Sequence, residues 1–310
     1  MQDRRISVVI VTKNRASDLQ HCLVSLITQS QQPDEILIID NMSTDETPTV
    51  ISHIKRGTHT PVKIHRCAGG GYPHIYNIGL QRASFPWVAF LDDDCIANRF
   101  WIQQIKRTIG AHPDICVVLG HSKTQYPDNP YSLATFLFQE EWKEQNVLDD
   151  TIINFEILDN KNIVYNKTFL RKYHIMYDES RTHILNGAGE DSDLGMQIQE
   201  HRGKALYNRL MIVDHKDPLN GISYLRKYIR SFAAYEWFKE KWVTTPHTPV
   251  TTVHFRTLAL SISEKQRYGL IKKIQYISIL YSTAICSITC LLLFKVTQSK
   301  QWFYRIAMSL

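Results

Sequence analysis

The sequence predicts an α/β fold: a mainly parallel central sheet flanked by helices, with a helical extension toward the C-terminal end. Three observations carry this. Short apolar runs at residues 6–11, 36–39 and 88–91 read as strands covered on both faces. Segments with helical spacing separate them, which implies right-handed crossovers and parallel pairing. Each run ends in polar or acidic residues, at Thr12, Asp40 and Asp92-Asp93-Asp94, the end at which such sheets bind ligands.

The elements follow in order. After the strand at 6–11, Ser17 is placed to cap a helix whose Leu19, Cys22, Leu23, Leu26 and Ile27 recur at helical spacing. The strand at 36–39 runs into Asp40-Asn41, and a helix opens near Ser43-Thr44-Asp45-Glu46. A short strand at 62–65, a helix bearing Ile75, Ile78 and Leu80, and the strand at 88–91 complete this half. Beyond it, 100–109 reads as a helix and 116–119 as a strand. A turn with Pro127 and Pro130 leads to a helix around 135–146. The loop Asn186-Gly187-Ala188-Gly189-Glu190-Asp191 enters a helix with Leu194 and Ile198, and a strand at 211–213 precedes Asp214-His215.

Composition narrows the classes. With 44% hydrophobic and 21% charged residues the chain is an ordinary globular protein, not a disordered one. A net charge of +6 suits phosphates or an anionic membrane face but is too weak to point to nucleic acid. The six cysteines are scattered without a CxxC pair, so neither a zinc site nor a disulfide framework is read, and a reducing compartment is expected. Met1-Gln2-Asp3-Arg4-Arg5 passes directly into a strand, so no cleaved export signal is expected.

The acidic triplet is the strongest chemical signal. Strand interiors reject charge, because a desolvated carboxylate needs a partner. Three acids at the end of a buried strand point to a bound hard cation, Mg²⁺ or Mn²⁺, which takes oxygen ligands and shares them with phosphates. The alternative is a solvated turn, with Asp94 or Asn98 capping a helix. Gly69-Gly70-Gly71 lacks the GxxxxGK[ST] spacing of a phosphate loop; it reads as a loop permitting close approach to a ligand or as a flexible turn.

After residue 220 the composition changes. Residues 224–242 are dense in Arg, Lys and aromatics, as in a helix lying at a lipid headgroup layer or one packed back on the catalytic domain. Residues 244–252 read as a Thr/Pro-rich linker. Residues 274–294 carry no formal charge and are bracketed by Lys272-Lys273 and Lys295, the length of a membrane span. An interfacial or buried helix is the alternative.

Three pieces, in order, resemble the opening of glycosyltransferase family 2 with the GT-A fold: Ser7-Val-Val-Ile-Val-Thr12-Lys-Asn14-Arg15, Ile38-Ile-Asp40-Asn41-Met-Ser43-Thr-Asp45-Glu-Thr47, and Phe90-Leu-Asp92-Asp93-Asp94. The match resumes at Gly189-Glu190-Asp191-Ser-Asp193-Leu194, with a weaker similarity at Leu158-Asp159-Asn160-Lys-Asn162. The resemblance implies inverting transfer of a sugar from a nucleotide-diphospho-sugar donor to a hydroxyl of a glycan or lipid-linked acceptor. The nucleoside would lie at Val11, Thr12, Asn14, Asp40 and Asn41, with Asn77 also on the donor side. Asp92 and Asp94 would hold Mn²⁺ or Mg²⁺, Asp93 the ribose, and His215 would close the metal shell. Asp191 would be the base, with Glu190 holding the acceptor or the base. The alternatives are that Glu190 is itself the base, or that the acids only favour a helix N-terminus.

The chain departs from the family pattern in two places. Asn41 stands where many relatives have a second acid. Tyr76-Asn77 stands where relatives have Arg-Asn, so the missing cation is expected from Arg66 or Arg82. Trp142 could stack on an acceptor sugar or pack in a core. His121, His183 and His201 carry no assigned role.

The expected organisation is a catalytic domain at 1–220, with a nucleotide-binding half at 1–120 and an acceptor half at 121–220. A basic aromatic extension with its linker follows at 221–272, then a transmembrane or interfacial helix at 273–296 and a tail at 297–310. Envelope polysaccharide or glycolipid synthesis at the cytoplasmic face of the plasma membrane is the expected setting, with the membrane surface and not nucleic acid as partner. Two other readings compete. A sugar nucleotidyltransferase would carry a Gly-rich basic loop after the first strand, which Thr12-Lys13-Asn14-Arg15 is not. A non-catalytic nucleotide-sugar or glycan scaffold would not need the intact acids.

Overall fold

The computed structural model describes residues 3–181, 189–242, 274, 276–279 and 281. Of these, the residues within Met1–Lys123, Asn146–Thr182 and Glu190–His215 form one compact unit. Those within Thr124–Gln145, His183–Gly189 and Lys216–Leu310 form a second.

The first unit opens with β1 (Ile6–Thr12), α1 (Ala16–Ile27), β2 (Glu35–Asp40), α2 (Thr47–Arg56), β3 (Val62–Arg66), α3 (Tyr72–Arg82) and β4 (Trp87–Leu91). β1 pairs in parallel with both β2 and β4, and β2 with β3. Their carboxyl ends therefore share one edge, with Thr12 opposite Asp40 in register. β5 (Cys95–Ala97), α4 (Trp101–Ala111) and β6 (Val117–Thr124) follow. Next come β7 (Val147–Leu148), β8 (Thr151–Ile152), β9 (Asn162–Asn166), α6 (Lys167–Lys172), α7 (Glu190–Glu200) and β10 (Ala205–His215).

The ten strands make one sheet in the order β3-β2-β1-β4-β9-β6-β10-β8-β7, with β5 paired to β10. The sheet is mixed, and its first four strands pair in parallel. β9 enters from a short turn at Phe155–Ile157 rather than from a crossover helix, so it lies antiparallel to both β4 and β6.

Burial on both faces explains the unbroken apolar strands. One core joins Ile6, Val8 and Ile10 of β1 to Leu19, Leu23 and Leu26 of α1 and Trp101, Ile102 and Ile105 of α4. On the other face α3 lies close, because Gly79 has no Cβ; one there would come 2.7 Å from Val9 Cγ1. Tyr76 packs edge-on to Phe90 at 5.3 Å and against Tyr177 at 5.1 Å. Ser17 is not the cap of α1: Arg15 is the N-cap residue, and the Ala16 N–H donates to Asp45 Oδ2 at 3.0 Å. A tertiary contact replaces the local one.

In the second unit, α5 (Pro130–Asn146, to Gln145 in this unit) and α8 (Gly221–Trp242) exchange aromatic contacts. Tyr131 meets Tyr224 at 5.7 Å, and Phe138 meets Tyr228 at 5.6 Å. Tyr224, Phe238 and Trp242 are buried, so these three aromatics of the 224–242 segment serve packing. Tyr276 is buried against Leu133 and Leu137. Among the described residues no helix is long and apolar enough to cross a membrane. The linker at 244–252, the loop residues 186–188, His183, the tail at 297–310 and most of 274–294 lie outside the described residues.

Candidate active site

The site is built at the carboxyl edge of the parallel strands. β4 ends at Leu91 and delivers Asp92, Asp93 and Asp94 beyond it. The short β5 then pairs antiparallel with the end of β10, placing His215 opposite Cys95, the residue after Asp94. This pairing joins sequence positions more than a hundred residues apart. Ligand atoms of Asp92, Asp94 and His215 all lie within 4.8 Å of one another, with His215 Nε2 3.6 Å from Asp94 Oδ1. Two carboxylates and an imidazole at this spacing suit Mn²⁺, and the carboxylates also suit Mg²⁺.

The cluster is electrostatically loaded. Burial pushes the Asp92 carboxyl up to about 8; Asp94 and Asp93 add to this, and Lys161 and Arg15 pull against it. Burial also lifts Asp93, to about 6, against Arg15 and a hydrogen bond from Thr12. Asp93 is spoken for on both oxygens: Thr12 Oγ1 donates to Oδ2 at 2.8 Å and Arg15 Nη1 to Oδ1 at 2.7 Å. The same Arg15 nitrogen lies 3.0 Å from Asp94 Oδ2.

The donor-side positions gather around β1 and β2. Val11 and Thr12 end β1, and Asn14 turns the chain in the left-handed region at φ 52. The Asn14 carboxamide oxygen accepts from the Thr44 N–H at 2.7 Å, which ties the two loops together. Asp40 is buried, accepting from the Ser43 N–H at 2.9 Å, with Arg66 Nε 3.3 Å away. Asn41 Oδ1 is buried with no hydrogen-bond partner among the described residues, an acceptor available to an N–H donor. Asn77 lies on α3. Its amide donates to the Tyr177 carbonyl and Glu179 Oε1, and its oxygen accepts from the Tyr177 N–H, so it fastens α3 to the 177–179 segment.

Asp191 opens α7 and is held by two backbone donors, Ser192 N–H at 2.9 Å and Asn160 N–H at 3.3 Å. Burial raises its carboxyl, while these hydrogen bonds and Lys161 oppose the shift. Lys161 is buried, paired with Asp159, and acts on both Asp92 and Asp191. Tyr76, in turn, lies within electrostatic reach of Asp92 and Glu190. The triplet and the Glu190-Asp191 pair thus flank common neighbours. Gly195 lets α7 seat against the Phe155–Ile157 turn, since a Cβ there would run into the Phe155 carbonyl oxygen.

Three functional neighbours carried no assignment in the sequence. Arg15 was visible at the end of the first motif, and it pairs with Asp93 and Asp94; Arg66 is tied to Asp40 and the Ser43 carbonyl, and Arg82 ends α3. Lys161 was the lone cation in the Leu158–Asn162 stretch. Tyr76 joins the Phe90–Tyr177 cluster. Gly69 and Gly70 adopt φ 75 and 93, which explains these glycines without a ligand. His121 bonds the Tyr207 hydroxyl at 2.7 Å, and His201 stacks on Tyr173 at 4.7 Å. Trp142 is partly buried in the second unit.

Comparison with known proteins identifies the family and the fold. The family model described as glycosyl transferase family 2 matches residues 7–175, more than half of the chain. The protein belongs to glycosyltransferase family 2 and is a transferase of GT-A fold. Among curated relatives, an uncharacterized glycosyltransferase of Nostoc is 24% identical, over 65% of this chain and 71% of its own. Glycosyltransferase AglE of Haloferax volcanii is 28% identical over 40% and 41%. A PGL/p-HBAD biosynthesis glycosyltransferase of Mycobacterium bovis is 30% identical over 37% and 45%. The matches to these last two span less than half of their length. Among solved structures, the mannosyltransferase PcManGT of Pyrobaculum calidifontis, with GDP-Man and Mn²⁺, aligns at TM-score 0.59 and 16% identity, covering 99% of this chain and 84% of its own. S. aureus TarS 1–349 with UDP-GlcNAc aligns at 0.55 and 16%, covering 98% and 91%.

Proposed function

We propose that this glycosyltransferase is metal-dependent and inverting, moving a hexosyl or deoxyhexosyl group from a nucleotide-diphospho-sugar to a hydroxyl of a glycan or lipid-linked acceptor. The observation that carries the reading is the cluster of Asp92, Asp94 and His215, with Lys161 acting electrostatically on both Asp92 and Asp191. PcManGT with GDP-Man and Mn²⁺, and TarS with UDP-GlcNAc, lend it the donor class.

Asp92, Asp94 and His215 would hold the ion, which when bound supplies positive charge to the departing diphosphate. Thr12, Asn14, Asp40 and Asn41 line the nucleoside side, and Asp93 braces the first loop through Thr12 and Arg15. The acceptor hydroxyl passes its proton to the Asp191 carboxylate. Its oxygen bonds to the anomeric carbon from the face opposite the leaving group, and the nucleoside diphosphate departs with the electron pair, which inverts the centre. Both Asp191 oxygens accept backbone N–H bonds, which fixes the carboxylate's aim. The upward shift brings its proton affinity nearer to what a general base needs. Glu190, buried at the same helix start, would orient the acceptor.

A lipid-linked acceptor at the cytoplasmic membrane face, in envelope polysaccharide or glycolipid synthesis, is supported by the uncharged run at 274–294 and the basic residues around it. The test is nucleoside diphosphate release from a panel of nucleotide-sugars, with Mn²⁺ or with chelator, and NMR of the product anomer. Metal-dependent release with inversion is expected. A retained anomeric configuration, or pyrophosphate release from a nucleoside triphosphate, would overturn the reading.

A further inference from the structure

The proposed donor brings a diphosphate to a site already crowded with acids, so the cations within reach decide how it is received. Among the described residues, Arg15 and Lys161 act on the triplet. They differ in freedom. The Lys161 side chain is 6% exposed and paired with Asp159, whereas the Arg15 side chain is 44% exposed. Arg15 bridges Asp93 and Asp94 through one terminal nitrogen, with Nε 3.9 Å from Asp18. A guanidinium has five N–H donors in a planar fork that matches phosphate oxygens, so this contact leaves donors over. Arg15 also sits at the entry to α1, next to Asn14, which has a left-handed backbone.

Asp94 is the point of conflict. Its Oδ2 faces Arg15 and its Oδ1 faces His215, and the same carboxylate belongs to the cation-binding group. A divalent ion arriving alone meets a fixed positive charge on one of its own ligands. We propose that Arg15 is an exchangeable internal cation that guards Asp94 while no donor is present and transfers to the donor diphosphate on binding, so that metal and donor bind with positive coupling. The inference rests on the donor reading above. It adds that the loop after β1, and not α3, supplies the side-chain cation for the diphosphate. The coupling follows from linkage: the diphosphate offers Arg15 a new partner, which releases Asp94 to the ion, and the ion's charge in turn favours the diphosphate.

The test is a pair of affinities measured on the full chain for wild type, Arg15→Gln and Arg15→Lys. Mn²⁺ alone is titrated by EPR of the free ion. Pyrophosphate, and then UDP, GDP, CDP and TDP, are titrated calorimetrically at saturating Mn²⁺. Arg15→Gln is expected to bind Mn²⁺ alone several-fold more tightly than wild type and pyrophosphate about tenfold more weakly, the factor that one lost charge-assisted contact commonly costs. Arg15→Lys keeps the charge without the fork and falls between; it carries the test should the Gln variant fail to fold by circular dichroism. A residue that merely braces the acids would move both affinities down together. That result, or unchanged pyrophosphate binding, overturns the proposal. Wild type that binds no Mn²⁺ defeats the metal reading itself and is recognised separately.

Discussion

Lowering the pH should strip the site of its metal well above the range in which ordinary carboxylates titrate. Asp92 is the reason. Its carboxyl is pushed up to about 8, first by burial and then by Asp94 and Asp93, with Lys161 and Arg15 opposing. A metal ligand must be deprotonated, so ion binding competes with that proton. A group titrating near 8 is about half ionised at about pH 8 and about one per cent ionised at about pH 6, so Mn²⁺ affinity should fall about fifty-fold over that interval. EPR titration of free Mn²⁺ across that range reads it directly. Calorimetry in two buffers of different ionisation enthalpy should show about one proton released per ion near neutral pH. An affinity flat across the interval, with no proton release, would refute the argument.

The metal-free protein gives the same shift as stability. Asp92 and Asp93 titrate higher folded than unfolded, so their contribution is full below the unfolded carboxylate range and is lost as pH rises through about 6 and about 8. The melting temperature of metal-free protein should therefore drop on going from about pH 5 to about pH 8.5, and Mn²⁺ should restore most at the alkaline end. Asp191→Asn should lower turnover by about 10²–10⁴-fold while nucleoside diphosphate affinity stays within about twofold, measured by product release and calorimetry. Lys161→Met removes a countercharge from Asp191, so the acidic limb of the kcat–pH profile should move to higher pH; an unmoved limb would exclude Lys161 from the base's environment. Gly195→Ala must push α7 off the Phe155 carbonyl, costing about 1–3 kcal/mol in chemical denaturation and lowering transfer through Asp191.

The parallel half of the molecule was legible because its physics is local. β1, β2 and β4 are largely apolar on both faces, and the Thr12, Asp40, Asp92, Asp93 and Asp94 that end or follow them lie at the carboxyl edge. The antiparallel half was harder to read. β5 is three residues long, below any periodicity, yet its pairing with β10 brings His215 to Asp94. Only tertiary register carries that information. Arg15 and Lys161 escaped assignment because a single cation in a loop has no pattern; its meaning comes from the carboxylates placed beside it by other strands. The cap of α1 was misread for the same reason, since the helix starts one residue before Ser17, where the Ala16 N–H donates to Asp45 from the loop after β2. Asn77 was grouped with the donor by its position in a motif, and its three hydrogen bonds to Tyr177 and Glu179 show it holding α3 in place.

The central claim is that distant acids converge on one ion and one proton-accepting carboxylate. Crystals of the protein grown with Mn²⁺ and a nucleoside diphosphate, measured at the manganese absorption edge, address it most directly. A single anomalous peak bounded by Asp92, Asp94 and His215 is expected, with the diphosphate on the ion and the Asp191 carboxylate facing the sugar position. A peak away from these three side chains, or a diphosphate bound with Asp191 turned out of the cleft, would contradict it.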